Sequence, residues 1–485
     1  MASMKPLLIP VHIISLGCAK NLVDTEVMAG SLAQAGFVLT ADPEQAAVQL
    51  VNTCSFIADA RAEAEAELGG ALAWKRADPT RRKVVVTGCL PQRDLPALRK
   101  RHPDADLLLG LDEVPRIAEH LTALFRAKAG KPAAPAAASP ALPTWIYNED
   151  SPRLLLTPRA YAYVKIAEGC DHGCRFCAIP AIRGRQRSRS LASIVTECRR
   201  LLDMGVRELN LIAQDTSAYG RDRKDGATLA ALLGELDRLK GDFWIRVLYT
   251  HPRHLTGDLI EVLATAKHAV PYLDMPLQHI ADHVLKDMGR RMSGAETREL
   301  LAQLRRRLPG LTFRTTLLVG YPGETEADFA ELLTFVREFR FDRLGVFAYS
   351  PEDGTPAAKL RTGLVPVEIA HRRRDALMAA QQKIAAAATR KLVGRTLRVI
   401  FDHAESARRW VGRTAADAPE VDNIVRVQGV PPAGDCAFAE VSVTAASPYE
   451  LTAVPVKSSG NEEPRPTGRG IRQPNPKHQS IRHSV

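Results

Sequence analysis

The sequence predicts an α/β protein built as three successive units: an N-terminal doubly wound parallel sheet, a central partial (β/α) barrel and a small C-terminal all-β barrel. Three patterns in its 485 residues carry that expectation. Up to about residue 126, short β-prone runs alternate with helical stretches, the signature of a parallel sheet wound on both faces. From about Leu154 to Ala387, six further β-prone runs are separated by helix-like segments, as in an open or closed parallel barrel. Beyond about residue 391 the helical spacing stops and short strands follow one another with turn residues between them.

In the first unit, residues 10–126, the strand candidates are PVHIISL, AAVQLVNT and KVVVTG. Helices are expected over DTEVMAGSLAQAG and SFIADARAEAEAELGGALAWKRA. The Ala/Pro-rich stretch within 127–150 reads as a linker. In the second unit, residues 154–387, the strands are AYVKIAEG, ELNLIAQ, WIRVLYT, YLDMPLQ, TFRTTLLVG and RLGVFAYS. The third unit, residues 391–456, offers TLRVIFD, RWVGRT, NIVRVQG and AFAEVSVTAA. The remaining residues, 457–485, carry six Lys/Arg and two Glu, are rich in Pro, Gly and Ser, and read as a disordered basic tail.

Composition excludes several classes. No run of about 18 apolar residues appears, so no membrane span is expected. The formal charge of +11 favours an acidic partner such as RNA or a ribonucleoprotein, or serves solubility alone. Eight cysteines in a chain of this size point to metal or redox chemistry in the cytoplasm rather than to disulfides. Lys5 followed by PLLIPVHIISLGC also has the outline of a short export signal ending at Cys18, although Pro10 and His12 interrupt it and the run reads equally as a strand.

EGCDHGCRFCAIP places Cys170, Cys174 and Cys177 in a C-x3-C-x2-C loop just after an apolar strand. Offsets of four and seven would also suit one helix face, but Gly169, Gly173 and Pro180 favour a loop that wraps a ligand. Three thiolates hold three irons of a 4Fe-4S cubane and leave the fourth open; zinc with His172 as fourth ligand is the other reading. The motif resembles the radical S-adenosylmethionine superfamily. That resemblance implies S-adenosylmethionine chelated at the open iron and cleaved to a radical that abstracts hydrogen from carbon. It also implies that Phe176 packs beside the cofactor's adenine, with plain shielding of the cluster as the alternative. LLVGYPGET, a Gly-rich strand-to-helix turn with Gly320 and Gly323, resembles the superfamily's cofactor-contact loop. Gln214 and Asp215, at the end of another strand, are candidates for cofactor or substrate, or for a simple helix cap. Cys198 falls at a helical core position, and Cys436 has no ligand-like neighbours.

Cys18, Cys54 and Cys89 each follow a strand of the first unit, at spacings of 36 and 35 residues. Parallel strands share one C-terminal edge, so three such cysteines can converge; three unrelated core thiols are the plain alternative. A second three-cysteine set beside the first resembles the methylthiotransferase family, whose members carry two 4Fe-4S clusters and a C-terminal barrel of the TRAM type. In that family the N-terminal cluster is the site where the sulfur is bound and methylated, and S-adenosylmethionine serves as methyl donor and as radical source.

GCAKNLVDTE, YLDMPLQH, LIAQDTSAYG and FAYSPEDGTPAA resemble the branch that methylthiolates the β-carbon of an aspartate in the twelfth protein of the small ribosomal subunit, though Ala19 stands where that branch usually has Pro. The resemblance implies that ribosomal protein as substrate partner, on or near the ribosome, and a low-potential electron donor of flavodoxin or ferredoxin type. RNA contact through the β barrel and tail is a further expectation. The alternatives are a tRNA adenosine methylthiotransferase and a non-catalytic, zinc-containing RNA-binding protein. No catalytic side chain is assigned; Arg183, Arg185 and Arg246 are candidates to meet the substrate carboxylate.

Overall fold

A computed structural model of the chain describes residues 8–126, 141–429 and 437–456. Cys436, the basic tail and most of the Ala/Pro-rich stretch lie outside the described residues. The first sheet contains β1 (Pro10–Ser15), β2 (Val38–Leu39), β3 (Val48–Thr53), β4 (Lys83–Gly88) and β5 (Leu107–Leu109), all parallel, in the order β2-β1-β3-β4-β5. Every residue of β3 is buried, as expected for a strand covered on both faces. The chain first winds outward to β2 and then reverses to β3. This puts the switch in strand order between β1 and β3, where doubly wound sheets leave a crevice at the strand C-termini. Residues Pro10–Ser15, part of the would-be export signal, are the internal strand β1, flanked by β2 and β3.

Helix α1 (Ala19–Gln34) starts directly after Cys18, five residues before the start read from the sequence. Its buried residues include Lys20, Asn21, Asp24 and Glu26 as well as the apolar ones. A helix buried on its polar side too is packed between two bodies, here the first sheet and the central unit, and that explains why apolar periodicity missed its first turn. The helices α2 (Ala58–Ala77), α3 (Cys89–Arg101) and α4 (Ile117–Arg126) complete the unit.

In the central unit, β6 (Tyr161–Lys165) is followed by a short antiparallel pair, β7 (Ala167–Glu168) and β8 (Arg187–Ser188), which brackets the cysteine loop and the short helix α5 (Ile179–Arg183). Helix α6 (Leu191–Asp203) then leads to β9 (Glu208–Ile212), β10 (Trp244–Val247), β11 (Ala269–Asp274), β12 (Thr312–Val319) and β13 (Arg343–Ala348). Their order is β6-β9-β10-β11-β12-β13, parallel throughout. Each strand lies beside the next in sequence, so the sheet is singly wound: the expected open (β/α) barrel. The third unit closes as β14 (Thr396–Ser406), β15 (Arg409–Thr414), β16 (Ile424–Gln428), β18 (Glu450–Pro455) and β17 (Phe438–Ala446). Its fifth strand, ELTAVP, is absent from the sequence reading, because six residues ending in Pro carry little strand signal.

The small barrel is fastened to the central one. Arg413 pairs with Glu208 at 2.7 Å, and Glu420 accepts from Tyr161 and Tyr163 at 2.8 and 3.0 Å. Arg246 lies here, fully buried, donating to Glu208 and to the Ala415 carbonyl at 2.7 and 2.9 Å. It is a fastener between units: its Nε and Nη1 hold Glu208 and the Ala415 carbonyl, while its buried Nη2 has no hydrogen-bond partner among the described residues.

Beneath α1 the seam contains a second charged cluster. Glu197 accepts from Arg153 (2.6 Å), Arg189 (2.5 Å) and Tyr147 (3.1 and 3.0 Å). Burial opposes ionisation of Glu197, but Arg189 and Arg153 outweigh it and hold the carboxyl below its ordinary value. Glu197→Ala is therefore expected to destabilise the fold by about 3–5 kcal/mol, since buried Arg189 loses its carboxylate and Arg153 keeps only Glu26. A group with a depressed folded pKa contributes fully above the ordinary carboxylate range and loses that contribution as pH falls through the folded value. Denaturant midpoints should thus fall on acidification in the wild type, and less steeply in the variant.

Candidate active site

Three strand ends of the first sheet present Cys18, Cys54 and Cys89 on one edge. Two of the turns require glycine. Gly17 (φ +89°) would place a Cβ 2.5 Å from the Cys54 Cβ, and Gly88 (φ +97°) would place one 2.4 Å from the Asn52 Oδ1. Each glycine turns the chain so that the next residue, a cysteine, starts a helix: Cys18 caps α1 and Cys89 begins α3. Helix N-termini favour thiolate over thiol. The three thiols sense one another electrostatically. Burial, with Cys89 and Cys18 nearby, pushes the Cys54 thiol up to about 12. Burial also disfavours the Cys18 thiolate, but Lys20, Arg183 and the backbone N–H groups of Asn21 and Lys20 together draw its pKa below the ordinary value.

The loop after β7 carries Cys170, Cys174 and Cys177, and it is irregular rather than helical. Arg290 Nη1 lies 3.8 Å from Cys174 Sγ, and the His172 N–H lies 3.5 Å from Cys170 Sγ. Burial pushes both Cys170 and Cys177 up to about 12. Thiols this reluctant to ionise become ligands when a cationic metal centre supplies the missing counter-charge.

The two cysteine sets are neighbours. Cys89 packs with Ala178 and Ile182, and Ala178 is bonded to Cys177. Arg183, at the end of α5, spans the gap. Its Nη2 donates to Asn21 Oδ1 (3.1 Å), Asp24 Oδ2 (3.1 Å) and Cys89 Sγ (3.4 Å), and its Nη1 donates to Glu168 Oε2 (2.9 Å). Lys165 completes the cluster with Asp24 at 2.5 Å and Glu168 at 2.7 Å. Arg185, by contrast, is 86% exposed and faces Asp171.

Zinc with His172 does not suit the second set. The His172 ring is committed to Asp215 at 2.6 Å, shares that carboxylate with His254 (2.8 Å), and stacks on His251 at 4.0 Å. Among the described residues, these His, Asp and His donors form the one group of three whose ligand atoms all lie within 4.8 Å. Neither cysteine triad brings all three sulfurs within 4.8 Å of one another, wider than a single ion with thiolates at about 2.3 Å demands. Unpartnered buried hydroxyls beside the first set, Ser55 Oγ and Thr87 Oγ1, are donors available to cluster sulfides. Both donor sets fit iron–sulfur clusters.

The remaining candidates surround the second set. Phe176 packs on the cluster of Ala281, Val284, Met288, Tyr321 and Ala357. Gln214 donates to Glu168 Oε1 at 2.5 Å, while its Oε1 is buried without a partner. The turn at Gly320 and Gly323 has positive φ at both, but its N–H groups are used internally: Gly320 donates to Glu324, and Gly323 to the Gly363 carbonyl at 2.7 Å. Those two N–H groups are therefore not free to receive a ligand. Asp215 is a loop brace and caps the turn Thr216–Ala218. Cys198 is a fully buried core residue, as its periodicity predicts.

Three family descriptions match the chain in succession: uncharacterized protein family UPF0004 over residues 10–110, the radical SAM superfamily over 164–336 and the TRAM domain over 393–456. Among curated proteins, the ribosomal protein uS12 methylthiotransferase RimO of Opitutus terrae is 42% identical over 92% of this chain and 97% of its own length. The proteins of the same name from Syntrophus aciditrophicus and Heliobacterium modesticaldum are each 43% identical, over 92% and 93% of this chain and 98% and 96% of their own. The chain belongs to the RimO methylthiotransferase family. The radical S-adenosylmethionine methyltransferase TsrM of Kitasatospora setae is similar in fold, with a TM-score of 0.52 at 16% identity, over 77% of this chain and 91% of that one. As a RimO-family protein with a radical SAM domain, the chain is a radical SAM methylthiotransferase that uses S-adenosylmethionine and iron–sulfur chemistry. No helix among the described residues is long and apolar enough to cross a membrane.

Proposed function

We propose that this enzyme methylthiolates the β-carbon of an aspartate in ribosomal protein uS12, with S-adenosylmethionine as both methyl donor and radical source. The observation that carries this reading is the pairing of two three-cysteine edges across one buried arginine, Arg183. Cys170, Cys174 and Cys177 would hold one 4Fe-4S cluster and Cys18, Cys54 and Cys89 a second. When bound, these groups supply the electron that cleaves the sulfonium and the site for the sulfur that is transferred. The protein's own part is placement. Arg183, Asp24, Lys165 and Glu168 lock the two edges into one register, the α1 seam keeps water out, and Phe176 and Gln214 shape the cofactor side.

Three exposed arginines, Arg221, Arg253 and Arg291, line one cavity with the exposed Gly173 of the cysteine loop, and the exposed Arg185 lies 3.5 Å from Asp171 of the same cavity. This surface is suited to an acidic, low-potential carrier of flavodoxin or ferredoxin type. The small β barrel is the unit fitted to RNA near the ribosomal substrate, and the cytoplasm is the compartment where these partners meet.

Mass spectrometry of uS12 from a strain lacking this gene tests the reading: the methylthio addition on the target aspartate should vanish and return on complementation. Its persistence, with methylthio-adenosine lost from tRNA instead, would transfer the activity to the tRNA branch.

A further inference from the structure

Lys20 is a buried cation near the two cysteine edges that the locking cluster does not employ. Only 7% of it is exposed, although it begins α1 just two residues after Cys18. Among the described residues, no carboxylate lies within 4.0 Å of its ammonium and no hydrogen bond engages it. It rests instead on the ring of Tyr249, with Nζ 3.1 Å from the centroid.

The surroundings explain why the site holds a cation in reserve. Tyr249 follows the C-terminal end of β10 and adopts the left-handed region (φ +61°), an expensive conformation for an aromatic residue. It is held there by its N–H on Asp274 Oδ2 (3.0 Å) and its carbonyl on the Thr216 N–H (2.9 Å). The nearby anions are already committed elsewhere: Asp274 to Arg314 at 2.9 Å, and Glu168 to Lys165 and Arg183 at 2.7 and 2.9 Å. Lys20 therefore extends from the first cysteine edge to the C-terminal mouth of the barrel, where reacting groups sit in such barrels, with Cys18 as its strongest potential counter-charge and no carboxylate in contact among the described residues. A buried ammonium that rests on a ring face and touches no carboxylate is an incomplete site for an anion.

We propose that Lys20 receives the side-chain carboxylate of the substrate aspartate and so fixes the adjacent β-carbon between the two cysteine edges. This rests on the uS12 reading above and names the contact that reading lacks. The carboxylate is one bond from the β-carbon, so anchoring it removes most of the freedom of the reacting centre. The same contact gives specificity: an asparagine in place of the aspartate leaves Lys20 without an anion.

The test uses the reconstituted enzyme and a uS12 loop peptide carrying Asp or Asn at the target position. Wild type should bind the Asp peptide about 10- to 100-fold more tightly than the Asn peptide, in the range expected for an anion meeting a desolvated cation. Lys20→Met should keep its iron and labile sulfide, lose that preference, and raise KM for the Asp peptide more than it lowers kcat. Lys20→Arg should recover part of the preference. Equal binding of both peptides by wild type overturns the proposal whatever the variants do. So does an unchanged preference in Lys20→Met. A wild-type enzyme that neither binds nor methylthiolates the Asp peptide overturns the uS12 reading itself, a different result from an active enzyme indifferent to position 20.

Discussion

Replacing Cys18, Cys54 and Cys89 together by alanine is expected to lower the iron content from about eight to about four per chain and to abolish methylthio transfer to uS12, while reductive cleavage of S-adenosylmethionine persists. The reverse triple replacement, at Cys170, Cys174 and Cys177, should also halve the iron but should stop cleavage as well. The two sets share no ligand, and although Ala178 packs on Cys89, the second loop has braces of its own. Residues Gly169 to Ala178 are braced by β7 and β8, by the Arg175 N–H on the Met288 carbonyl and by His172 on Asp215, none of which touches the first sheet. Iron and sulfide analysis, 5′-deoxyadenosine release and peptide mass spectra read the three outcomes separately. A variant of the first triple that still transfers the methylthio group would show that those cysteines are merely core residues.

How much of this was legible beforehand depended on the kind of signal. The six ligand candidates could be read because cysteine is rare and each follows an apolar strand; topology alone brings strand ends to one edge, whatever the side chains between them. The singly wound barrel was legible for the same reason, since six β-prone runs separated by helices have few other arrangements. The strands β2 and β5 left little trace, having two and three residues, too few for periodicity to register, and β18 ends in Pro455, which weakens its strand signal. The start of α1 was misread because its first turn is buried through Lys20, Asn21 and Asp24, polar residues whose burial only the second unit can justify. Arg246 and Arg183 show the limit for single residues. Arg246 lies on a barrel strand and Arg183 ends a short helix just past the cysteine loop; one fastens the small barrel and the other joins the two cysteine edges, a difference set by contacts more than 90 positions away in sequence.

Arg183 therefore gives the second large expected effect. Around it, two buried carboxylates, Asp24 and Glu168, face two buried cations, Lys165 and Arg183, so the cluster is balanced. Arg183→Met leaves two carboxylates on one ammonium, and removing one partner from such a buried set costs about 3–5 kcal/mol. Lysine should not rescue it: one ammonium cannot reach Asn21, Asp24, Cys89 and Glu168 at once, whereas the planar guanidinium does so from two nitrogens. Replacing Arg185, 86% exposed and 3.5 Å from Asp171, by Met should change the stability by less than about 1 kcal/mol. The functional consequence differs from that of a purely structural loss. Because Arg183 touches Cys89 on one side and follows Cys177 by six residues on the other, its removal should disturb the spacing between the two sets before either set fails to bind iron. The expected signature is iron near its full complement, cleavage of S-adenosylmethionine largely kept, and transfer to uS12 lost. If iron and cleavage fall in step with transfer, Arg183 serves the stability of each edge rather than their alignment.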